Sequence, residues 1–258
     1  MPRPKREMVK HPLTPSMLTV MGDLEPTPLV TGPFDPESDW RREYRVWTCY
    51  GYRDKSSNRS QGTLSLTRSG SGGKAFRLKV DQTLHMDPKK EKHDHRFTAS
   101  IRCRNDDLAT PTAWRMDSRF VSGKEGSNPP DMDHAESVEV LGDALAVTIG
   151  DRTVTRPASA RLASEFSLMA AVGRLPLDSK PLSFDLLEWL TALKPGQRLS
   201  YRGRFDQQWG GLAVTLDCFH QLGMGVWPYE YWLDENSRLV MVVTGVRAYI
   251  LESEEASI

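Results

Sequence analysis

The sequence predicts a mainly β protein: a large curved antiparallel sheet, half-barrel or clam-like, with two short helices against its concave face. Three observations predict it. About a dozen segments alternate apolar and polar residues with a period of two. The connections between them are short and polar, which pairs neighbours antiparallel. The alternation breaks once, over residues 160–195, where apolar residues take helical spacing.

Residues 1–38 hold eight of the seventeen prolines. Proline lacks the N–H that a ladder needs, so this stretch predicts an extended tail, with one β domain over 39–258. The first strand, Tyr44–Tyr50, carries aromatic residues on both faces, as a strand covered on both sides would. Gly62–Arg68 and Lys74–His85 flank a Ser-Gly-Ser-Gly-Gly turn, and Phe76, Leu78, Val80 and Leu84 share one face. Arg96–Arg104 places Phe97, Ala99, Ile101 and Cys103 inward. Trp114–Val121, Val138–Val140, Ala144–Ile149 and Arg152–Arg156 follow. The helical block comes next. Ser164 is a candidate N-cap for a helix ending at Pro176, with Phe166, Met169, Ala170 and Gly173 on one stripe. Ser183–Leu193 repeats that grammar with Leu186, Leu187, Leu190 and Leu193, ended by Pro195-Gly196. Strands resume at Arg198–Phe205 and Leu212–Phe219. Tyr229–Leu233 and Leu239–Thr244 flank Asp234–Ser237 as a hairpin, and Val246–Leu251 closes the series. No fixed repeat period argues for a propeller or solenoid.

Composition narrows the function. Thirty-four basic residues balance thirty-four acidic ones, so no global field recruits nucleic acid. No segment approaches the ~20 apolar residues of a membrane-spanning helix. Met17–Met21 is too short an apolar run for an export signal, so the chain as written is expected in the cytoplasm; a precursor carrying a signal would place it outside. Cys49, Cys103 and Cys218 form no C-x-x-C motif and read as buried thiols, with one long-range disulfide as the alternative.

Candidate chemistry is sparse. His93 and His95 would share a strand face, as a metal requires, but a Lys-rich connector precedes them. Asp131, Asp133, His134 and Glu136 lack the glycine and terminal glutamate of a calcium loop. Gly70, Gly72 and Gly73 open a strand and no helix, so they read as a hairpin turn and not a phosphate loop. Asp206 and Glu230 are carboxylates that could meet across strands. No nucleophile elbow is present. No cofactor, metal or catalytic residue is predicted, and the chain reads as a non-enzyme. The apolar candidates are Phe166, Met169, Leu186, Leu190, Trp209, Trp227, Tyr229 and Trp232, which read either as core or as the lining of a ligand cavity.

The run LSFDLLEWLTALKPGQRLSYRGRF and the later HQLGMGVWPYEYWLDENSRLVMVVTGVRAYIL resemble the end of an uncharacterised family of bacterial hypothetical proteins, over the C-terminal third. More distantly, the hairpin YWLDENSRLVMVVTG resembles curved-sheet carriers and sensors of the lipoprotein-carrier type. That resemblance implies a bent sheet wrapping one or two helices around an apolar cavity. The chain departs from those carriers in showing neither an export signal nor a lipid-attachment cysteine, and no site residue carries over. Three functions stand: a domain that binds or carries an apolar or lipid-like ligand, a structural or protein-interaction module with a filled core, and a hydrolase of unrecognised type.

Overall fold

The computed structural model describes residues 14–15, 28–50, 57–70, 72–85, 93–122, 133–245 and 247–256. Fifteen strands form one curved sheet that does not close. In chain order they are β1 (Trp40–Tyr50), β2 (Ser57–Ser69), β3 (Ala75–His85), β4 (His93–Arg104), β5 (Pro111–Ser122), β6 (His134–Leu141), β7 (Ala144–Ile149) and β8 (Arg152–Pro157). Then come β9 (Leu162–Ser164), α1 (Glu165–Ala171), a 3₁₀ turn (Val172–Arg174), β10 (Leu182–Glu188), β11 (Ala192–Trp209), β12 (Leu212–Leu222), β13 (Tyr229–Leu233), β14 (Leu239–Thr244) and β15 (Arg247–Ala256). Every ladder is antiparallel except β9 with β10. The chain starts mid-sheet, meanders to β8 at one edge, reappears at β9 on the other and returns until β15 pairs with β1.

The period-two reading holds through this sheet. In β3, Phe76, Leu78, Val80 and Leu84 are buried and Arg77, Lys79 and Asp81 are exposed. The predicted helix at Ser164 forms as expected. The Ser164 side chain accepts from the Ser167 N–H at 3.0 Å, and the Ser167 hydroxyl accepts from the Ser164 N–H at 2.9 Å. These reciprocal bonds satisfy donors that the first helical turn leaves orphaned. All seven α1 residues are buried inside the curl, and Phe166 stacks on Phe97 of β4 at 5.5 Å.

The second helix does not exist. Leu182–Glu188 is a strand, residues 189–191 turn, and β11 begins at Ala192, so helix is confined to residues 165–174 of the predicted 160–195 block. The cause is a bulge. Phe184 pairs with Gln197 and Leu186 with Lys194, so the register slips at Asp185. The slip lets Leu186 and Leu187 both be buried, and a doubled apolar pair in a bulged strand mimics helical spacing. Leu193, taken with Leu186 and Leu190 as one stripe, instead lies on β11 and is partly exposed.

Bulges also bend the sheet. Between β1 and β2 the register slips at Val46/Trp47, next to Gly62, which has φ 154°. A Cβ at Gly62 would lie 1.8 Å from the Thr83 carbonyl oxygen on β3. Gly62→Ala is therefore expected to destabilise the fold by about 3 kcal/mol, the upper range for overpacking, read as a shifted urea midpoint.

One end of the curl is stapled by buried arginines. Arg68 is buried and donates to the Glu37 and Ser38 carbonyls and to the Glu37 carboxylate. Arg174 donates to Asn105 and to the Asp106 carbonyl. Arg238 bonds Glu254 at 2.9 Å, Asp234 at 2.8 Å and the Gly32 carbonyl at 2.9 Å. Residues 28–39 thus lie as a strap across this end, with Phe34 beneath the guanidinium groups of Arg42 and Arg238. Strands β1, β3 and β5 run away from it toward the opposite end.

Candidate functional site

The two edge strands follow one another in sequence, yet no ladder joins β8 to β9. The sheet curls far enough to bring β9 against β5, and stops. A cavity of about 330 Å³ lies along that seam. Val138, Leu145 and Val147 from β6 and β7 form one wall, and Leu187 of β10, Leu190 of the β10–β11 turn and Leu193 of β11 form the other. β8 is exposed along its whole length. Val154 pairs with Val147 and faces the same way, yet Val154 is 49% exposed, so the apolar inner face continues uncovered out of the cavity.

The β10–β11 turn is strained. Trp189 and Leu190 hold φ of 53° and 60°, a left-handed region that costs non-glycine residues about 1–3 kcal/mol each. Three N–H donors hold it: Leu190 to the Leu187 carbonyl at 3.3 Å, Thr191 to the Glu188 carbonyl at 3.2 Å, and Trp189 to Glu165 Oε1 at 2.7 Å. The turn sends Leu190 into the cavity and Trp189 against Phe97 and Phe166, edge-on, at 5.4 and 6.4 Å. Burial raises the Glu165 carboxyl to about 8, with the Trp189 N–H acting against the shift, and its second oxygen has no partner.

Polar groups are few and placed at the margins. Glu136 is buried in the cavity wall, with His134 Nε2 at 3.1 Å from its Oε2. Arg156 lines the exposed side. Trp114 also lines the cavity, and its buried indole N–H has no hydrogen-bond partner. Deeper along β4, His95 Nε2 lies 2.8 Å from Ser118 Oγ. Burial, then the charge of Arg247, holds this imidazole below its usual range. Among the described residues no carboxylate bonds its other ring nitrogen, so the pair lacks the orienting group of a triad.

The eight apolar candidates are dispersed. Leu190 lines the cavity. Phe166, Met169 and Leu186 are buried in or beside α1, and Tyr229 is buried on β13. Trp209 and Trp232 are buried on β11 and β13. Trp227 is 73% exposed, its ring resting on Gly245. Nothing in the sequence joins Val138, Leu145 and Val147 to Leu187, because only the register of distant strands brings them together. A signal existed for one of them: Leu187 was placed on the helical stripe, and its neighbour Glu188 closes the turn.

The remaining clusters hold no site. No group of three metal-ligating side chains occurs among the described residues. His95 faces Ser118, while Asp94 accepts from His85 at 2.9 Å. Asp133 accepts from the Phe120 N–H, and Asp131 lies outside the described residues. Gly70, Gly72 and Gly73 sit in the β2–β3 connection. Asp206 accepts from Thr215, and Glu230 pairs with Arg202 instead. Cys103 and Cys218 are free and buried, which pushes the Cys218 thiol up to about 12; the Cys49 side chain lies outside the described residues. No described helix is long and apolar enough to cross a membrane.

No family model matches the sequence, and no curated protein matches it. Among solved structures, the chain is similar to a crystal structure from Brucella abortus described as a beta-barrel-like protein of a domain of unknown function, DUF1849. The TM-score is 0.54 at 8% sequence identity, over 86% of this chain and 98% of that one. The common property is the fold. At 8% identity the two chains share that fold with few residues in common.

Proposed function

We propose that this is a non-enzymatic domain that binds or carries an apolar, lipid-like ligand in the seam cavity. The observation that carries the reading is the cavity itself. Its volume of about 330 Å³ sits at the lower end of the range typical of small-molecule sites. Its walls are aliphatic, its polar groups are few, and an uncovered apolar strip leads out of it past Val154. Arg156 and the unpartnered Trp114 N–H are donors for an oxygen-bearing head group. Burying the ligand's apolar body would be worth about 25 cal/mol per Å² before the costs of association.

The test uses N-phenyl-1-naphthylamine, an uncharged apolar dye, titrated into the full chain. The dye is expected to bind. Filling the cavity with Val147→Trp and Leu193→Trp together is expected to weaken it at least about tenfold. Absence of binding to the unaltered chain would sink the reading. A second reading, a protein-interaction module, is favoured by one observation: Leu222, Met224 and Trp227 form an exposed apolar tip at the β12–β13 connection. Dye binding that the double variant leaves unchanged would move the site to that tip.

A further inference from the structure

We propose that the outward face of β3–β7 is a second, independent site, for a phosphate-bearing sugar or polyol, with Arg77 and Arg102 clamping the phosphate. The register places Arg77 of β3 directly opposite Arg102 of β4. Like charges directly opposite on antiparallel strands weaken a sheet. Arg96 and Arg119 are also opposed, on β4 and β5, but there Asp117 holds Arg119 at 2.6 Å. Among the described residues neither the Arg77 nor the Arg102 guanidinium makes an ion pair or hydrogen bond, and their neighbours in the row are Ser69 and Ala113, not carboxylates. The next row adds Lys79 and Arg115 on either side of Ser100, and Arg104 continues β4. Across β3 to β6 these five cations face two carboxylates, Asp81 and Glu139, that no described cation holds. The chain as a whole has zero net charge, so the cluster is local and not a by-product of a basic protein.

The same face is hollowed. A groove of about 550 Å³ runs from Arg77 and Arg102 across β5 and β6 to β7 and β8. Short side chains make its floor: in the row that runs on from Arg102, Ala113 and Ala146 lie on either side of Glu139. Hydroxyls line the rest, at Ser100, Ser137, Thr148 and Thr153, and the Thr148 and Thr153 hydroxyls bond each other at 2.8 Å. The chemistry is graded along the groove. Two planar, permanently charged forks at one end suit phosphate oxygens, which arginine binds bidentately. Hydroxyls and one carboxylate at the other end suit a polyhydroxylated body, whose O–H groups Glu139 would accept. The groove opens on the opposite face of the sheet from the seam cavity; Trp114 and Val138 border both, but Arg77 and Arg102 line the groove alone, so their substitution tests this site separately.

Isothermal titration of the full chain at low salt tests this, with glucose 6-phosphate, glucose and inorganic phosphate as probes. Glucose 6-phosphate is expected to bind, inorganic phosphate more weakly, and glucose without detectable heat. The variant R77Q/R102Q is expected to weaken glucose 6-phosphate at least about tenfold, since a hydrogen bond to a charged group contributes that much or more. With no ligand present, R102Q alone is expected to raise the thermal midpoint, because it relieves the opposed pair, and a cooperative melt of R77Q/R102Q shows that the double variant folds. Sedimentation with phosphatidylcholine vesicles, with and without phosphatidylinositol 4-phosphate, distinguishes a lipid head group from a free sugar phosphate. Binding to either source supports the site and names the source. The proposal is overturned if neither binds, if R77Q/R102Q binds as the unaltered chain does, or if inorganic phosphate binds as tightly as glucose 6-phosphate.

Discussion

Arg238→Ala is expected to cost about 3–5 kcal/mol of folding stability, read as a lowered urea midpoint at unchanged slope. The side chain is almost wholly buried, and every nitrogen is used. Nε meets Glu254 at 2.9 Å, Nη1 meets Asp234 at 2.8 Å, and the two terminal nitrogens reach the carbonyls of Val30, Gly32 and Pro33. Alanine would leave two buried carboxylates with less charge to balance them. Glu254 would keep Arg42 at 2.7 Å, and Asp234 would keep the Asn236 and residue-238 N–H groups at 2.9 and 2.8 Å. Asp234 is the more exposed to loss, because burial already disfavours its charged form. The strap over residues 28–39 would lose three anchors at once. Limited proteolysis should therefore cut within it before the sheet unfolds. Arg119→Ala, which removes only an exposed ion pair on β5, should leave the midpoint where it is.

Glu165→Gln is expected to leave stability nearly unchanged near pH 4.5 and to raise it at pH 8 by an amount on the order of 4 kcal/mol. The Glu165 carboxyl titrates at about 8 in the folded protein against 4.5 ordinarily, raised by burial among Tyr229, Tyr231 and Trp189. Between those values the native state holds a proton that the unfolded chain has released. Stability must then fall as pH rises through that window, with the full loss present above pH 8. Glutamine keeps an acceptor for the Trp189 N–H and carries no charge at any pH. The comparison of the two proteins, by urea unfolding at pH 5, 6.5 and 8, removes the contribution of every other titrating group. A gap between them that stays constant across pH would show that Glu165 ionises freely.

The β character was legible because strands half-exposed to water must alternate, and β3 and β4 do so almost without fault. The Ser164 cap was legible because it is a local interaction, three residues in reach. The second helix was misread because a bulge at Asp185 doubled the apolar period, and because Trp189 and Leu190 adopt a conformation that side-chain type argues against. The buried arginines were illegible for a different reason. Nothing local marks Arg42, Arg68 and Arg238 as interior, and partners up to some two hundred positions away make Arg42 and Arg238 so. The seam cavity shares that property. Of its aliphatic walls, Leu190 was singled out from sequence, but Val147 faces Leu187 only because the sheet curls through fifteen strands.

One ladder differs from all the others in this sheet. Every strand pairs with its sequence neighbour except where β1 meets β15, with Trp40 opposite Ala256. A circular permutant that linked Ala256 to the start of the strap at residue 28 and opened the chain between β8 and β9 would make every ladder a pairing of sequence neighbours. In the native order that one ladder closes a loop spanning most of the chain, and folding rate falls as such separations grow, so the permutant is expected to fold faster. The cut would fall at the seam, where the natural chain crosses from one free edge to the other through residues 158–161.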